Sequence, residues 1–191
     1  SIGPHAFGDC SSLEIINIPK EVTKVEYYAF YGCKSLKSIV LPEGVTHVGK
    51  SAFSSCSNLE SIVLPQAISK IEDGVFYNCS GLKNIILPES VTRIGDQAFF
   101  LCSGIKTIVL PAGVTYIGES AFSFCSSLEG VYVKSIECPK LSAGIQFDRN
   151  SKERKIYVPY ESLEAYKTAE GWSEYADAIV GYDFENDKVV E

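Results

Sequence analysis

Seven cysteines are the residues of this sequence best suited to chemistry, and six of them recur at intervals of 23 residues. The six are Cys10, Cys33, Cys56, Cys79, Cys102 and Cys125, and only Cys138 falls outside the series. Metal sites favour close pairs such as Cys-x-x-Cys, which the sequence lacks. Stacked repeats could bring two thiols to within about 5 Å, which permits a disulfide, but the side chains would run in parallel. The favoured interpretation is a column of reduced thiols that fill the core as small apolar side chains.

No other set of residues forms a catalytic pattern. The two histidines, His5 and His47, occupy different positions of the repeat. The sequence has no Gly-x-Ser-x-Gly nucleophile motif, no glycine-rich phosphate loop, no His-Glu-x-x-His zinc motif and no carboxylate pair that stands out from the repeat. We therefore predict a protein that is not an enzyme and that has no catalytic residues, metal ligands or cofactor.

The cysteines belong to a repeat in which many positions share the same period. Phenylalanine recurs three residues before each of the six cysteines, at Phe7, Phe30, Phe53, Phe76, Phe99 and Phe122. A Leu-x-x-Ile-x-Leu pattern begins three residues after each cysteine, as at Leu36, with conservative replacements in some repeats. Proline follows the first five of these patterns, from Pro19 to Pro111. A fixed period of this length is typical of a solenoid.

Each element of the repeat has a physical role. Alternate residues of the Leu-x-x-Ile-x-Leu pattern point inward from a short strand, and proline, which has no N–H to donate, ends that strand. A Val-x-x-Val pair, such as Val45 and Val48, then leads the chain back along the outside of the coil. One repeat cannot bury its own apolar face, so stacked repeats must share one core and pair their strands.

The predicted fold is therefore a leucine-rich-repeat solenoid, a right-handed β/α-type superhelix. One parallel sheet is expected on its concave face, with an irregular or short-helical convex side and a helical cap at the C-terminal end. The strands are predicted near residues 17, 40, 63, 86, 109, 132 and 157.

The repeat LKSIVLPEGVTHVGKSAFSSCSN, residues 36–58, resembles the 23-residue repeats of the BspA-like family of bacterial surface proteins. The resemblance covers residues 1 to about 133. The segment IYVPYESLEAYKTAEGW, residues 156–172, resembles the closing segment of such proteins from gut Bacteroidetes. This resemblance implies an extracellular or cell-surface protein with an adhesive role, and reduced thiols fit the surface of an anaerobe.

Three regions are predicted along the chain. Residues 1–133 hold the tandem repeats, the first of which begins mid-repeat and implies a preceding segment. Residues 134–158 form a degenerate, lengthened final repeat, because the strand-like Ile156 falls 25 residues after Val131. Residues 159–191 form a cap that contains a short helix over residues 161–170, with Trp172 packed nearby, and that covers the apolar end of the stack.

The composition restricts the classes of partner. The formal net charge of −7 argues against nucleic acid or an anionic membrane surface, because both attract basic faces. No apolar run approaches the roughly 18 residues of a membrane-spanning helix, so we expect no membrane insertion. The predicted partner is a protein or a glycan, with a host molecule or a second copy of this chain as the candidates.

The candidate binding residues lie on the predicted concave face. Between the inward positions of successive strands, after Asn17 in the first repeat, the outward residues are Val40, Val63, Ile86, Val109 and Tyr132. Small polar residues flank them at Ser38, Ser61, Asn84 and Thr107. Strand propensity alone could explain the β-branched residues. An exposed apolar patch on a solenoid could equally be a contact surface, and the sequence leaves both explanations open.

Two further sets of residues have simpler interpretations. A basic column contains Lys24, His47, Lys70, Arg93 and Tyr116, and it lies beside acidic residues at Glu26, Glu72, Asp73, Asp96 and Glu119. Salt bridges between these two sets are favoured over a polyanion-binding surface. Aromatic residues at Tyr31, Tyr77 and Phe100, near Tyr28 and Phe124, are attributed to partial burial rather than to a second binding site.

The sequence thus predicts a non-enzymatic interaction or adhesion module, either secreted or at the cell surface. The alternative function is a structural spacer within a larger surface protein.

Overall fold

The computed structural model describes residues 1–190, and Glu191, the last residue of the predicted cap, lies outside the described residues. The strands of the described chain are β1 (Lys24–Val25), β2 (Ser38–Val40), β3 (His47–Val48), β4 (Ser61–Val63), β5 (Lys70–Ile71), β6 (Asn84–Ile85), β7 (Arg93–Ile94), β8 (Thr107–Leu110), β9 (Tyr116–Ile117), β10 (Gly130–Val133), β11 (Lys140–Leu141), β12 (Lys155–Pro159), β13 (Ile179–Asp183) and β14 (Lys188–Val189). Each repeat makes one coil, and the inward side chains of all coils join a single hydrophobic core. The predicted solenoid is confirmed.

Two sheets form what we call the main ladder, on the face that the sequence predicts to be concave. β2, β4 and β6 pair in parallel, with Ser38 opposite Ser61 and Ser61 opposite Asn84. β8, β10, β12 and β13 pair in parallel in a second sheet, to which β14 adds an antiparallel pair. Equivalent residues of adjacent repeats therefore lie side by side along each sheet.

The main ladder differs from the predicted single sheet in two respects. No strand forms around residue 17, since residues 15–18 make no ladder with β2. The ladder is also interrupted between β6 and β8. β6 is only two residues long and begins at Asn84, and asparagine is depleted in strands.

A second parallel ladder runs along the return side of the coils, where the sequence analysis expects irregular or short-helical structure. It consists of β1 and β3 in one sheet and of β5, β7, β9 and β11 in another. In the first five of these strands the second residue is buried, from Val25 to Ile117. These buried residues end each Val-x-x-Val pair or its equivalent, so the pair builds a short strand rather than an irregular return. Residues 1–159 contain no helix.

The phenylalanines form a stacked column through the core. Neighbouring rings from Phe7 to Phe122 lie nearly parallel, with centroids 5.1–6.0 Å apart. The backbone around each ring is unusual, because the residues two before and two after it adopt left-handed conformations, as at Ser51 (φ 54°) and Ser55 (φ 62°). This geometry aims N–H groups at the next coil, and Phe53 donates to the Val75 carbonyl at 3.0 Å.

The coil after β10 is two residues longer than the others. Val131 lies opposite Ile156, 25 residues further along the chain, and Phe147 continues the phenylalanine column at 5.5 Å from Phe122. The chain then forms a 3₁₀ turn (Tyr160–Ser162), helix α1 (Leu163–Thr168) and a 3₁₀ helix (Trp172–Ala178). Ile156 lies opposite Ile179, so the tail returns to the 23-residue spacing and adds a further coil that the sequence analysis did not predict.

The tail packs over the end of the phenylalanine column. Trp172 is 1% exposed, and its ring centroid lies 5.0 Å from Tyr166 and 6.3 Å from Phe147. The indole Nε1 donates to the Pro139 carbonyl at 2.7 Å. These contacts cover the apolar face that Phe147 would otherwise present to solvent.

Candidate binding face

Four aliphatic side chains form an exposed row on the main ladder, which we call the apolar stripe. Val40, Val63, Ile86 and Val109 have exposed fractions of 64%, 52%, 83% and 43%. Strand alternation produces this row, because Ile39 and Ile62 point the other way and are buried. The structure therefore places these four predicted residues on one face.

A row of small polar residues follows the apolar stripe on the same face. Ser38, Ser61, Asn84 and Thr107 are all exposed, as the sequence predicts. The next position in this row is Gly130, which lies opposite Thr107. A Cβ atom at Gly130 would lie 3.0 Å from Cε2 of Tyr132, so the absence of a side chain there leaves room for the tyrosine ring.

Tyr132 differs from the other predicted residues of this face because it is half-buried in an aromatic cluster. Its ring stacks on Tyr157 at 4.5 Å between centroids, with 17° between the ring planes. Tyr182 meets both rings at 5.4 Å, nearly edge-on to Tyr132. Phe184 lies 5.0 Å from Tyr182. The face therefore changes from aliphatic to aromatic towards its C-terminal end.

The sequence analysis missed three members of this cluster. Tyr157 could have been found, since it falls in the same Val/Ile-Tyr-Val pattern as Tyr132 and 25 residues after it. Tyr182 and Phe184 lie beyond the recognisable repeats, and only the pairing of β12 with β13 places them on this face.

A small cleft of about 360 Å³ opens beside the cluster. We call it the aromatic cleft, and it is lined by Val109, Tyr132, Lys134, Tyr182, Phe184 and Asp187. The Tyr182 hydroxyl donates to Asp187 Oδ1 at 2.6 Å, which together with burial and the nearby negative charge raises the pKa of Tyr182 to about 12. Lys134, which lines the cleft, also forms an ion pair with Glu89, with Nζ 3.3 Å from the Glu89 carboxylate.

The predicted salt bridges between the basic column and the acidic residues are wrong. Within residues 1–190 no ion pair joins the two sets; Asp73 instead pairs with Lys50 at 2.7 Å. Asp73 Oδ1 and Asp96 Oδ1 accept hydrogen bonds from the backbone N–H of Asp96 and Glu119 in the following coils. Burial would raise the pKa of Asp73, but the bonds from Lys50 and the Asp96 amide outweigh it and lower that pKa. These acids therefore join adjacent coils.

The basic column itself provides the first residues of the second-ladder strands. Lys24 and Lys70 are exposed, and the Arg93 guanidinium lies 3.8 Å from the centre of the Tyr116 ring. Beside this column, an open groove of about 680 Å³ is lined by acidic residues and by Tyr27, Tyr28 and Tyr77.

The aromatic residues that the sequence analysis attributes to partial burial are half-buried for the most part. The Phe100 ring lies between those of Tyr77 and Phe124, with centroid distances of 5.2 and 5.0 Å, in keeping with that prediction.

The cysteines of the repeat are free, and five of the six are fully buried. Cys10 is the exception, because it lies in the first coil and is exposed. Each buried thiol donates to the carbonyl of the phenylalanine 26 residues earlier, as from Cys79 Sγ to Phe53 at 3.0 Å. Burial raises the pKa of Cys79 and of Cys125 to about 12, so the thiols stay protonated and can donate. The column therefore fills the core and also links the coils.

No cluster of three or more His, Cys, Asp or Glu side chains within residues 1–190 is placed to hold a metal ion. In the same part of the chain, no helix has the length and apolarity that crossing a membrane requires.

Comparison with known proteins gives a family and several solved relatives. The family model described as a BspA type leucine rich repeat region matches residues 1–129 in 6 copies. A leucine rich cell surface protein from Faecalibacterium prausnitzii A2-165 is 38% identical over 61% of this chain and 31% of its own, with a TM-score of 0.59. No curated protein matches the chain significantly.

Two further structures share the fold. A leucine-rich repeat protein from Bacteroides ovatus ATCC 8483 is 29% identical over 82% of this chain and 52% of its own, with a TM-score of 0.53. The T. pallidum leucine rich repeat protein is 26% identical over 82% and 76%, with a TM-score of 0.59. The chain spans about a third of the first relative and half of the second.

Proposed function

Because this chain belongs to the BspA-type leucine-rich repeat family, we propose that it is a non-catalytic module that binds a protein partner at the bacterial cell surface through the apolar stripe. The location is supported by the family and by the matched cell surface protein of F. prausnitzii. An adhesive role towards a host protein is part of the same proposal. An origin in a gut Bacteroidetes stays a prediction, since the three structures compared above come from three different bacteria.

The exposure of the apolar stripe is the observation that carries this proposal. Three of its four side chains are more than half exposed, and Ile86 is 83% exposed. Isolated exposed aliphatic residues are ordinary, but a contiguous row flanked by small polar side chains is typical of a contact surface. Short serine and threonine side chains beside the row would let a partner approach the strands closely.

The side chains of the stripe contribute little to the core that the coils share. Their inward neighbours fill that core, so the stripe can change without creating a cavity. Burying one such side chain against a partner would be worth about 1.5–3 kcal/mol when complete. Four of them provide enough apolar surface for a specific contact, although the cost of association offsets part of the gain.

A structural spacer is the second candidate, because every residue of the apolar stripe is β-branched and fits a strand for that reason alone. The double variant Val63→Thr/Ile86→Thr separates the two functions. Threonine keeps the β-branch and removes apolar surface, so the fold should persist while binding weakens by about 1 kcal/mol or more. The matched control is Val189→Thr/Ile136→Thr, which changes the same residue types at exposed positions outside the stripe.

The measurements are sedimentation of the wild type and both variants, followed by titration against purified host extracellular proteins. Weaker self-association or weaker partner binding in the stripe variant alone would support the proposal. A wild type that stays monomeric and binds none of the proteins would favour the spacer. If both variants bind the partner as strongly as the wild type does, the contact lies elsewhere on the chain.

A further inference from the structure

We propose that the aromatic cleft is a subsite for a neutral sugar ring, next to the apolar stripe that contacts a protein and sharing only Val109 with it. The inference extends the proposed function, because it assigns a second ligand class to the aromatic end of the same face. It depends on the geometry of the cleft and does not require the apolar stripe to bind anything.

The rings that line the cleft are fixed before any ligand arrives. Tyr132 leans over Gly130 and is backed by the stacked ring of Tyr157 at 4.5 Å. Tyr182 braces it nearly edge-on, and the hydrogen bond to Asp187 fixes the hydroxyl of Tyr182 in turn. Tyr182 itself is 9% exposed, so a ligand would meet chiefly the half-buried rings of Tyr132 and Phe184. The braced Tyr132 ring has little side-chain entropy left to lose, which lowers the cost of binding.

The cleft combines this apolar surface with polar groups of both kinds. Lys134 carries three N–H donors, of which the exposed ion pair with Glu89 engages one. Asp187 Oδ1 accepts a hydrogen bond from the Tyr182 hydroxyl, which leaves the second carboxylate oxygen of Asp187 as an acceptor. A pyranose ring matches this combination, because its C–H face is apolar while its hydroxyl groups both donate and accept.

The charges and spacing disfavour other small ligands. Lys134 would repel a cation, and Asp187 would repel an anion. An aromatic cage for an ammonium group needs open space between its rings, whereas Tyr182 contacts Tyr132 and Phe184 at only 5.4 and 5.0 Å between centroids. The volume of about 360 Å³ lies at the lower end of small-molecule sites, roughly 300–1,000 Å³.

The test is calorimetric titration of the whole chain with maltohexaose, cellohexaose and chitohexaose. We expect saturable binding to at least one of them, with a dissociation constant of roughly 1 mM or tighter. Val109→Trp should fill the cleft and weaken that binding at least about tenfold. The control is Val63→Trp, which makes the same change on the same face two repeats earlier and leaves the cleft open.

Phe184→Ala provides a second test at a half-buried position outside the tandem repeats. It is needed in case Val109→Trp disturbs strand β8. It should also weaken sugar binding, with unchanged circular dichroism.

Failure of the wild type to bind any of the three oligosaccharides would overturn the assignment, as would equal binding by Val109→Trp and Val63→Trp. Binding of a tyrosine-containing peptide in place of sugar would assign the cleft to protein recognition. Val63→Thr/Ile86→Thr should leave sugar binding unchanged, so the two proposals can fail separately.

Discussion

The side-chain amide of Asn150 donates to the backbone carbonyl of Phe122 at 2.7 Å. In the preceding coils a cysteine thiol makes this bond, as from Cys125 Sγ to Phe99 at 3.1 Å. Asn150 falls 25 residues after Cys125, the same offset that aligns Phe147 with Phe122. The lengthened coil thus keeps the interaction between coils while changing the residue that makes it.

Replacing Asn150 tests whether this bond stabilises the last coils. Asn150→Ala leaves the Phe122 carbonyl without this donor and removes an acceptor from Arg154, so we expect a loss of about 1–3 kcal/mol in the free energy of unfolding. Asn150→Cys should recover part of that loss if the thiol reaches the same carbonyl. Denaturant unfolding measures both values. Equal stability of Asn150→Ala and the wild type would show that the bond contributes nothing.

Thiol labelling should distinguish the first coil from the rest. Cys10 is exposed and should react rapidly with a thiol probe in the native protein, whereas the buried thiols of Cys56, Cys79, Cys102 and Cys125 should react slowly. In denaturant, without reductant, all should react because they are free. Mass spectrometry of the labelled protein identifies each site. Rapid native labelling at Cys79 would contradict its burial.

The raised pKa values of the buried thiols predict a loss of stability at alkaline pH. The pKa of Cys79 rises from 9.0 to about 12 because burial disfavours the thiolate. The unfolded chain therefore releases this proton first as the pH rises. The stabilisation is fully present below pH 9 and is lost as the pH rises towards 12. Cys79→Ala/Cys125→Ala should flatten the decline of the unfolding temperature between these values, and an unchanged slope would show that the thiols do not contribute.

The sequence predicts the parts of this fold that depend on the repeat. The 23-residue period of the sequence predicts the inward leucines and isoleucines, the phenylalanine column and the outward Val63. The interruption after β6 could not be predicted, because the sequence around Asn84 and Ile86 keeps the alternating pattern of the other repeats and does not show where strand pairing stops. The aromatic cleft was missed because Tyr182 reaches the face only through the pairing of β13, which has no repeat pattern.

The left-handed backbone two residues before each phenylalanine predicts opposite effects on stability for removing glycine at one such site and adding it at the equivalent site of the next coil. Gly74 (φ 62°) and Gln97 (φ 53°) occupy the same position in adjacent coils. Gly74→Ala should cost about 1–2 kcal/mol, because it forces a Cβ into this conformation. The new Cβ would also lie 3.0 Å from Ser51 Oγ. Gln97→Gly should be neutral or stabilising, since relief of strain offsets the entropy of glycine in the unfolded chain. Thermal unfolding measures both, and a stabilising Gly74→Ala would contradict the assignment.

Trp172 tests the proposal that the tail caps the stack. The side chain is 1% exposed, fills the space between Tyr166 and Phe147, and donates to the Pro139 carbonyl at 2.7 Å. Trp172→Ala should therefore reduce the free energy of unfolding by about 3–5 kcal/mol, the usual range for a buried aromatic residue. Trp172→Phe keeps most of the apolar volume and loses the indole donor, so it should cost less. Removing the chain after Pro159 should destabilise the protein more than either substitution, because Phe147 and the last coil then face water. An unchanged unfolding temperature after truncation would show that residues 160–191 are an appendage and that the stack needs no cap at this end.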